Sequence, residues 1–231
     1  IGAGLAGCEA AWQIAQAGIS VCLYEMRPHV QTGAHSTHNL AELVCSNSLG
    51  SMDPTRASGL LKLELSIINS LLLDCAYHSA IPAGDALAVD RDQFSSLVFS
   101  SLNNHPNLEI KRQEVTEIPS SGITVLATGP LTSPKMMNSI QALTGTESCF
   151  FYDAIAPIIN AESINTEVVF PATRYGRDSV ASGDYLNCPF NKDEYLLFHQ
   201  ALINAKRVEL KPFETEIDSG VRAGRSKYFE S

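Results

Sequence analysis

The chain has 231 residues, 45% hydrophobic and 18% charged, with a formal net charge of −9. This composition describes an ordinary globular polypeptide with enough apolar material for a core, in one large domain or two small ones. It offers no run of roughly 18 apolar residues that would suit a membrane span, and its acidic balance argues against non-specific affinity for nucleic acid.

From the first residue, Ile1 reads as the end of a strand, and Gly2-Ala3-Gly4-Leu5-Ala6-Gly7 follows as a GxGxxG turn. Glycines at this spacing allow a tight turn, a close backbone approach to a pyrophosphate and close packing of helix on strand. The segment from Gly7 to Gln16 reads as a helix with Cys8, Ala11, Trp12 and Ala15 on one face, and Gly18 stands where a helix-terminating glycine belongs. The run Ile19 to Tyr24 is strand-like and ends in Glu25. An acid about 20 residues after the turn is placed to accept the ribose hydroxyls of a dinucleotide, which favours FAD or NAD over NADP.

Further along, residues 31–58 read as a polar, turn-rich stretch interrupted by the apolar Leu40 to Cys45. Loops of this length are functional or disordered. Leu60 to Ala76 is predicted as one helix with Leu61, Leu65, Ile68 and Leu72 in a stripe. A short strand is expected at Ala86 to Val89, then a helix over Arg91 to Leu102 with Phe94, Leu97, Val98 and Leu102 facing one way. Leu108 to Ile110, Val115 to Ile118 and Ile123 to Ala127 read as strands. The last runs into Thr128-Gly129-Pro130. Gly129 there is either a point of close approach to a nucleotide at the carboxyl edge of the sheet or a simple strand-to-loop glycine. Beyond Pro130 the texture changes, with a helix around Ser139 to Leu143, strands in Val168 to Tyr175 and Tyr185 to Cys188, and a helix over Lys192 to Ala205.

The six cysteines, Cys8, Cys22, Cys45, Cys75, Cys149 and Cys188, form no CxxC pair, so zinc spacing is absent and a reducing, cytoplasmic setting is expected. His35 and His38 lack an acidic or thiol partner at metal spacing and read as loop or active-site hydrogen-bonders. Asp90, before Arg91, is most simply a helix cap. Cys188 reads as packing, and Phe150, Phe151 and Tyr152 as core filling rather than a stacking platform. On the residues alone, Cys45 after Leu43-Val44 is a small buried hydrophobe.

Several strings stand together: Ile1 to Gly7, Leu23-Tyr24-Glu25-Met26-Arg27-Pro28, Ala41-Glu42-Leu43-Val44-Cys45-Ser46-Asn47-Ser48, Ala86 to Arg91, Ala127 to Pro134 and Tyr185 to Pro189. In combination the chain resembles, from Ile1 to about Ile217, the folate- and FAD-dependent tRNA (uracil-5-)-methyltransferase family, a relative of the GidA-type flavoproteins. The resemblance implies an α/β chain: a Rossmann-like FAD-binding domain with a parallel sheet over 1–130, part of an inserted α+β domain over 131–217, and a non-matching polar tail over 218–231. It also implies that the chain is the N-terminal part of a longer protein.

The implied chemistry takes a methylene group from 5,10-methylenetetrahydrofolate, reduces it with flavin electrons drawn from NAD(P)H, and places the methyl on C5 of uridine 54 in the tRNA T loop. Gly2, Ala3, Gly4, Leu5, Ala6, Gly7 and Glu25 map onto the FAD fingerprint, with Arg27, Asn47 and Gly129 as further cofactor positions and Cys45 as the catalytic thiol. That thiolate would add at uracil C6 or remove the C5 proton. Two other readings remain: a GidA-like enzyme modifying the wobble uridine, and an inactive FAD-binding remnant.

Overall fold

The computed structural model describes residues 1–32, 34–44, 46–145, 159–172, 183 and 185–206. The expectations on Cys45, on the aromatic group Phe150 to Tyr152 and on the 218–231 tail lie outside them. The chain divides into two compact units, Ile1–Cys149 and Phe150–Ser231.

The first unit is α/β, as the sequence predicts. Helix α1 (Leu5–Gln16) leads into strand β1 (Val21–Glu25), which pairs in parallel with β5 (Leu108–Arg112) from Val21 opposite Leu108 to Glu25 opposite Arg112. Two extended segments continue this layer without forming strands of their own, so the strand expected over Ile123 to Ala127 is present only as an extended segment with a single bridge; the two take the places of the first and fourth strands. Gly2 N–H donates to the Tyr24 carbonyl at 2.9 Å. The Ile1 amino group donates to Val125 O and Ala127 N–H donates to Ile1 O, each at 2.8 Å. These two bonds are the pattern of a parallel bridge. The spatial order is therefore β5, β1, residues 1–3, residues 125–127. That is third, second, first and fourth in the doubly wound sense, and the order reverses between the first and fourth strands.

A second, three-stranded antiparallel sheet is inserted between β1 and β5. It has the order β2 (Ser48–Ser51), β4 (Ala86–Val89), β3 (Ala80–Ile81). Helices α2 (Ala57–Ile67), α3 (Leu71–His78) and α4 (Arg91–Asn103) lie along the same stretch of chain. The single helix predicted over Leu60 to Ala76 is thus two. Asn69 takes a left-handed φ of 54°, and the Ser70 hydroxyl accepts the Leu73 N–H to start α3. Of the predicted stripe, Leu65 and Leu72 pack against the core while Leu61 and Ile68 face outward. The buried side chain of α2 is instead Lys62, whose Nζ donates to the carbonyls of Leu49, Ser51 and Ser58.

The core of this unit gathers Ala3, Cys8 and Ala11 near the glycine turn with Leu40, Leu73, Leu87, Val89, Phe94, Val98 and Leu102. Each fully buried Leu, Val or Phe contributes about 1.5–3 kcal/mol. The helix cap expected at Asp90 is present: its carboxylate accepts the Gln93 N–H at 2.9 Å. Asp90→Ala is expected to lower stability by about 1 kcal/mol, read as a lower midpoint in urea unfolding with an unchanged slope.

No strand forms over Val115 to Ile118; the Ile118 N–H is taken by the Ser139 hydroxyl of α5 (Pro134–Thr144) instead of a ladder partner. The sequence puts a boundary near Pro130, whereas α5 belongs to the first unit, with Met136 buried. In the second unit, β6 (Phe170–Ala172) and β7 (Tyr185–Asn187) form an antiparallel pair. Helix α6 (Lys192–Ile203) begins with a capping box between Asn191 and Glu194. Among the described residues no helix is long and apolar enough to cross a membrane.

Candidate functional site

A cavity of about 330 Å³ opens where the strand order reverses. Its floor is the glycine turn. Gly2 has a φ of +95°, and a Cβ there would lie 2.6 Å from Ala127 O and 2.8 Å from Thr128 Cα. Only glycine allows that approach of two backbones. Gly7 lies beneath the floor and does not line the cavity; a Cβ on it would strike the Gly2 carbonyl oxygen. The two glycines thus seat α1 directly on the end of the first strand.

Helix α1 begins at Gly4 with no side-chain cap and no acid in its first turn. Its first N–H groups and the positive end of its dipole therefore face the cavity, lined here by Gly4, Leu5 and Ala6. This is an anion-binding arrangement suited to a pyrophosphate. Gly129, with φ of +64°, and Thr128 close the opposite wall at the end of the fourth strand.

Glu25 ends β1 in the cavity wall and is buried. Its Oε2 accepts the Ala3 N–H at 3.1 Å, and its Oε1 accepts both the Arg27 N–H at 3.0 Å and Arg27 Nε at 2.8 Å. Burial pushes this carboxyl up, but the Arg27 and Ala3 hydrogen bonds outweigh it and hold the group below its ordinary value of 4.5. Glu25 is accordingly ionised at neutral pH, an acceptor for hydroxyl donors.

Arg27 lines the same cavity, yet its guanidinium is largely committed within the protein. Nη1 pairs with Glu42 Oε2 at 2.7 Å, and Nη2 donates to Asn39 O at 2.9 Å. Glu42 in turn accepts from the backbone and hydroxyl of both Ser36 and Thr37. Burial raises this carboxyl, and those hydrogen bonds, led by Ser36 N–H, bring it below its ordinary value. Glu25, Arg27 and Glu42 form a buried triad that ties the 36–42 loop to the end of β1.

Of the residues singled out in the sequence, Gly2, Ala3, Gly4, Leu5, Ala6, Glu25, Arg27 and Gly129 converge on this cavity. Asn47 does not line it: its Nδ2 donates to Val89 O and its carbonyl accepts the Val89 N–H, fastening β2 to the end of β4. Cys45 lies outside the described residues, while Val44, which precedes it, is in the cavity wall. Two other thiols are unsuited to nucleophilic work. Burial pushes Cys8 up to about 12 and Cys75 up to about 11. Glu42, Thr32 and His35 also face the cavity. The sequence signal for Glu42 was its place beside Leu43-Val44 in an otherwise polar loop; nothing local pointed to its pairing with Arg27. His35 and His38 each hydrogen-bond within the loop, to Thr32 and Gln31 respectively.

The cavity suits the ADP half of a dinucleotide: a bare helix N-terminus for phosphate, an ionised acid for ribose, and two backbone approaches that a Cβ would fill. Residues 1–228 match the family described as Glucose inhibited division protein A. The chain is also 54% identical over 217 residues to the methylenetetrahydrofolate–tRNA-(uracil-5-)-methyltransferase TrmFO of Brevibacillus brevis, covering 94% of this chain and 49% of that protein. The same holds for the protein so named of Natranaerobius thermophilus. With that of Synechococcus elongatus the identity is 51% over 216 residues, 94% of this chain and 46% of the relative. The chain spans about half the length of the curated relatives it matches.

Proposed function

Because the chain belongs to the Glucose inhibited division protein A family, we propose that it is the FAD-holding N-terminal part of a methylenetetrahydrofolate-dependent tRNA (uracil-5-)-methyltransferase acting on uridine 54 of the T loop. The observation that carries this reading is the cradle at the strand reversal, Gly2 and Gly7 beneath a bare helix end with Glu25 in the wall, in a chain 51–54% identical to relatives bearing that name.

The N–H groups at the start of α1 would hold the pyrophosphate, and Glu25, kept ionised and oriented by Arg27, would accept the ribose hydroxyls. Gly129 would let the backbone pass close to the ligand. A flavin held there would supply the two electrons, drawn from NAD(P)H, for taking the transferred carbon from methylene to methyl. Cys45, next in the chain after cavity-lining Val44, serves as the thiolate that adds at uracil C6 or takes the C5 proton. In the balance of the reaction a C5–carbon bond forms, both bonds from that carbon to the folate nitrogens N5 and N10 break, the two electrons and a proton make the third C–H bond of the methyl, and the C5 proton leaves. A cytoplasmic setting goes with this reading.

The test is to incubate the full-length protein that contains this chain with FAD, unmodified tRNA, 5,10-methylenetetrahydrofolate and NADH or NADPH, and to map modified uridines. 5-Methyluridine at position 54 is the expected product. Modification of the wobble uridine instead would support the GidA-like reading, and flavin binding with no product would support an inactive remnant. Cys45→Ala is expected to lower 5-methyluridine formation about a hundredfold while the flavin absorbance of the bound protein is unchanged.

A further inference from the structure

His35 and Thr32 share the cavity wall with the nucleotide cradle, and the reading of that cavity as an FAD site gives them no task. Thr32 Oγ1 lies 2.6 Å from His35 Nδ1 and also accepts the His35 backbone N–H at 3.1 Å. A hydroxyl has one proton and two lone pairs. One lone pair is used by the backbone N–H. The short contact to Nδ1 requires a proton between the two atoms, and the hydroxyl proton has no other acceptor among the described residues. If the ring supplied the proton, the hydroxyl proton would have to turn to solvent, whereas donating to Nδ1 while accepting the His35 N–H uses both of its bonds within the loop. The hydroxyl therefore donates to Nδ1, and the ring proton sits on Nε2.

We infer that Thr32 fixes His35 as an Nε2–H tautomer whose free N–H is a hydrogen-bond donor to a ribose or phosphate oxygen of the ADP half of the bound flavin. The inference rests on the FAD reading given above. Among the described residues no acceptor meets Nε2. Burial, and next the Arg27 guanidinium, hold the imidazole below its usual range, against the opposing pull of Glu42 and Glu25. The ring is therefore neutral at pH 7, and it lines the same cavity as Glu25, the acid that marks the ribose end. The chemistry is complementary there. A ribose hydroxyl both donates and accepts, so Glu25 takes its proton while His35 supplies one.

The experiment is a set of FAD and ADP titrations on the full chain, with its unfolding midpoint recorded for each variant. Glutamine places an amide N–H near the position of Nε2, asparagine near that of Nδ1. His35→Gln is expected to keep both affinities within about twofold, and His35→Asn to weaken FAD and ADP alike by about tenfold. Nitrogen-15 NMR of the His35 ring should show the Nε2–H tautomer at pH 7, and Thr32→Val should lose that preference. An Nδ1–H tautomer, or an H35N variant that binds FAD and ADP like the unaltered chain, would overturn the inference alone. Failure of the unaltered chain to bind FAD or ADP would overturn the FAD reading with it.

Discussion

Arg27→Met is expected to destabilise the first unit by about 3–5 kcal/mol, the cost of removing one member of a buried ionic network. Methionine fills much the same length but carries no charge and no donors. Glu25 Oε1 would lose its Nε partner, Glu42 Oε2 its Nη1 partner, and the Asn39 carbonyl its Nη2 donor. Arg27 is only 2% exposed, so water cannot readily replace these bonds. Urea unfolding followed by circular dichroism measures the loss. Arg27→Lys should fall between the two, because a compact ammonium cannot bridge two carboxylates and a carbonyl as a planar fork does. A variant with unchanged stability would show that the triad is incidental to the fold.

The same substitution has a pH signature. Glu25 and Glu42 are both held below their ordinary value of 4.5 in the folded chain. A depressed folded pKa contributes stability that is present above the unfolded value and is lost as pH falls through the folded one. In Arg27→Met the Glu25 share of that contribution is largely removed, while the Ser36 and Thr37 hydrogen bonds keep the Glu42 share. The gap in stability between the unaltered chain and the variant should therefore be widest above about pH 4.5 and close progressively below it. A gap independent of pH would mean that lost packing, rather than charge, sets the cost.

What could be read from the sequence, and what could not, divides along sequence distance. The GxGxxG turn, α1, β1 and Glu25 are encoded by neighbours: glycine spacing, a helical apolar face and a strand-ending acid all lie within residues 1–25. The helix carrying Phe94, Val98 and Leu102 was legible for the same reason, with all three fully buried as its period implies. The stripe Leu61, Leu65, Ile68, Leu72 was misleading because one left-handed residue, Asn69, divides it. β2 was hidden in a stretch read as polar loop because its strand character comes from pairing with β4, about 40 residues on. The role of Glu42 was invisible for a related reason. It is fixed by Arg27, 15 residues earlier, through a chain reversal that no local pattern announces. Asn47 was named only through a string shared with a family; that its side chain bonds the Val89 carbonyl, 42 residues on, was not legible locally.

Gly7→Val is expected to weaken FAD binding about a thousandfold. The position has no unusual backbone angle; its demand is for space. A Cβ would meet the Gly2 carbonyl oxygen and lie 3.0 Å from the Gly2 carbonyl carbon, with Ala127 Cβ at 3.4 Å. Two of these atoms are backbone of the first strand, so the clash cannot be relieved by a side-chain rotation and α1 must lift away. Overpacking of this kind costs about 1–3 kcal/mol. Lifting the helix also draws its N–H groups from the phosphates, and each hydrogen bond to a charged group is worth about 1.5–3 kcal/mol. Together these approach the 4.1 kcal/mol of a thousandfold change. Gly4→Ala separates damage to the cradle from damage to the fold. Gly4 has a φ of −74°, and a Cβ there meets nothing within 4 Å. Its unfolding midpoint should fall only by the small cost of alanine at a helix N-cap, about 1 kcal/mol or less, and any larger loss of flavin must come from contact with the ligand itself. If Gly7→Val bound FAD as tightly as Gly4→Ala, the seating of α1 on the first strand would not be what holds the pyrophosphate.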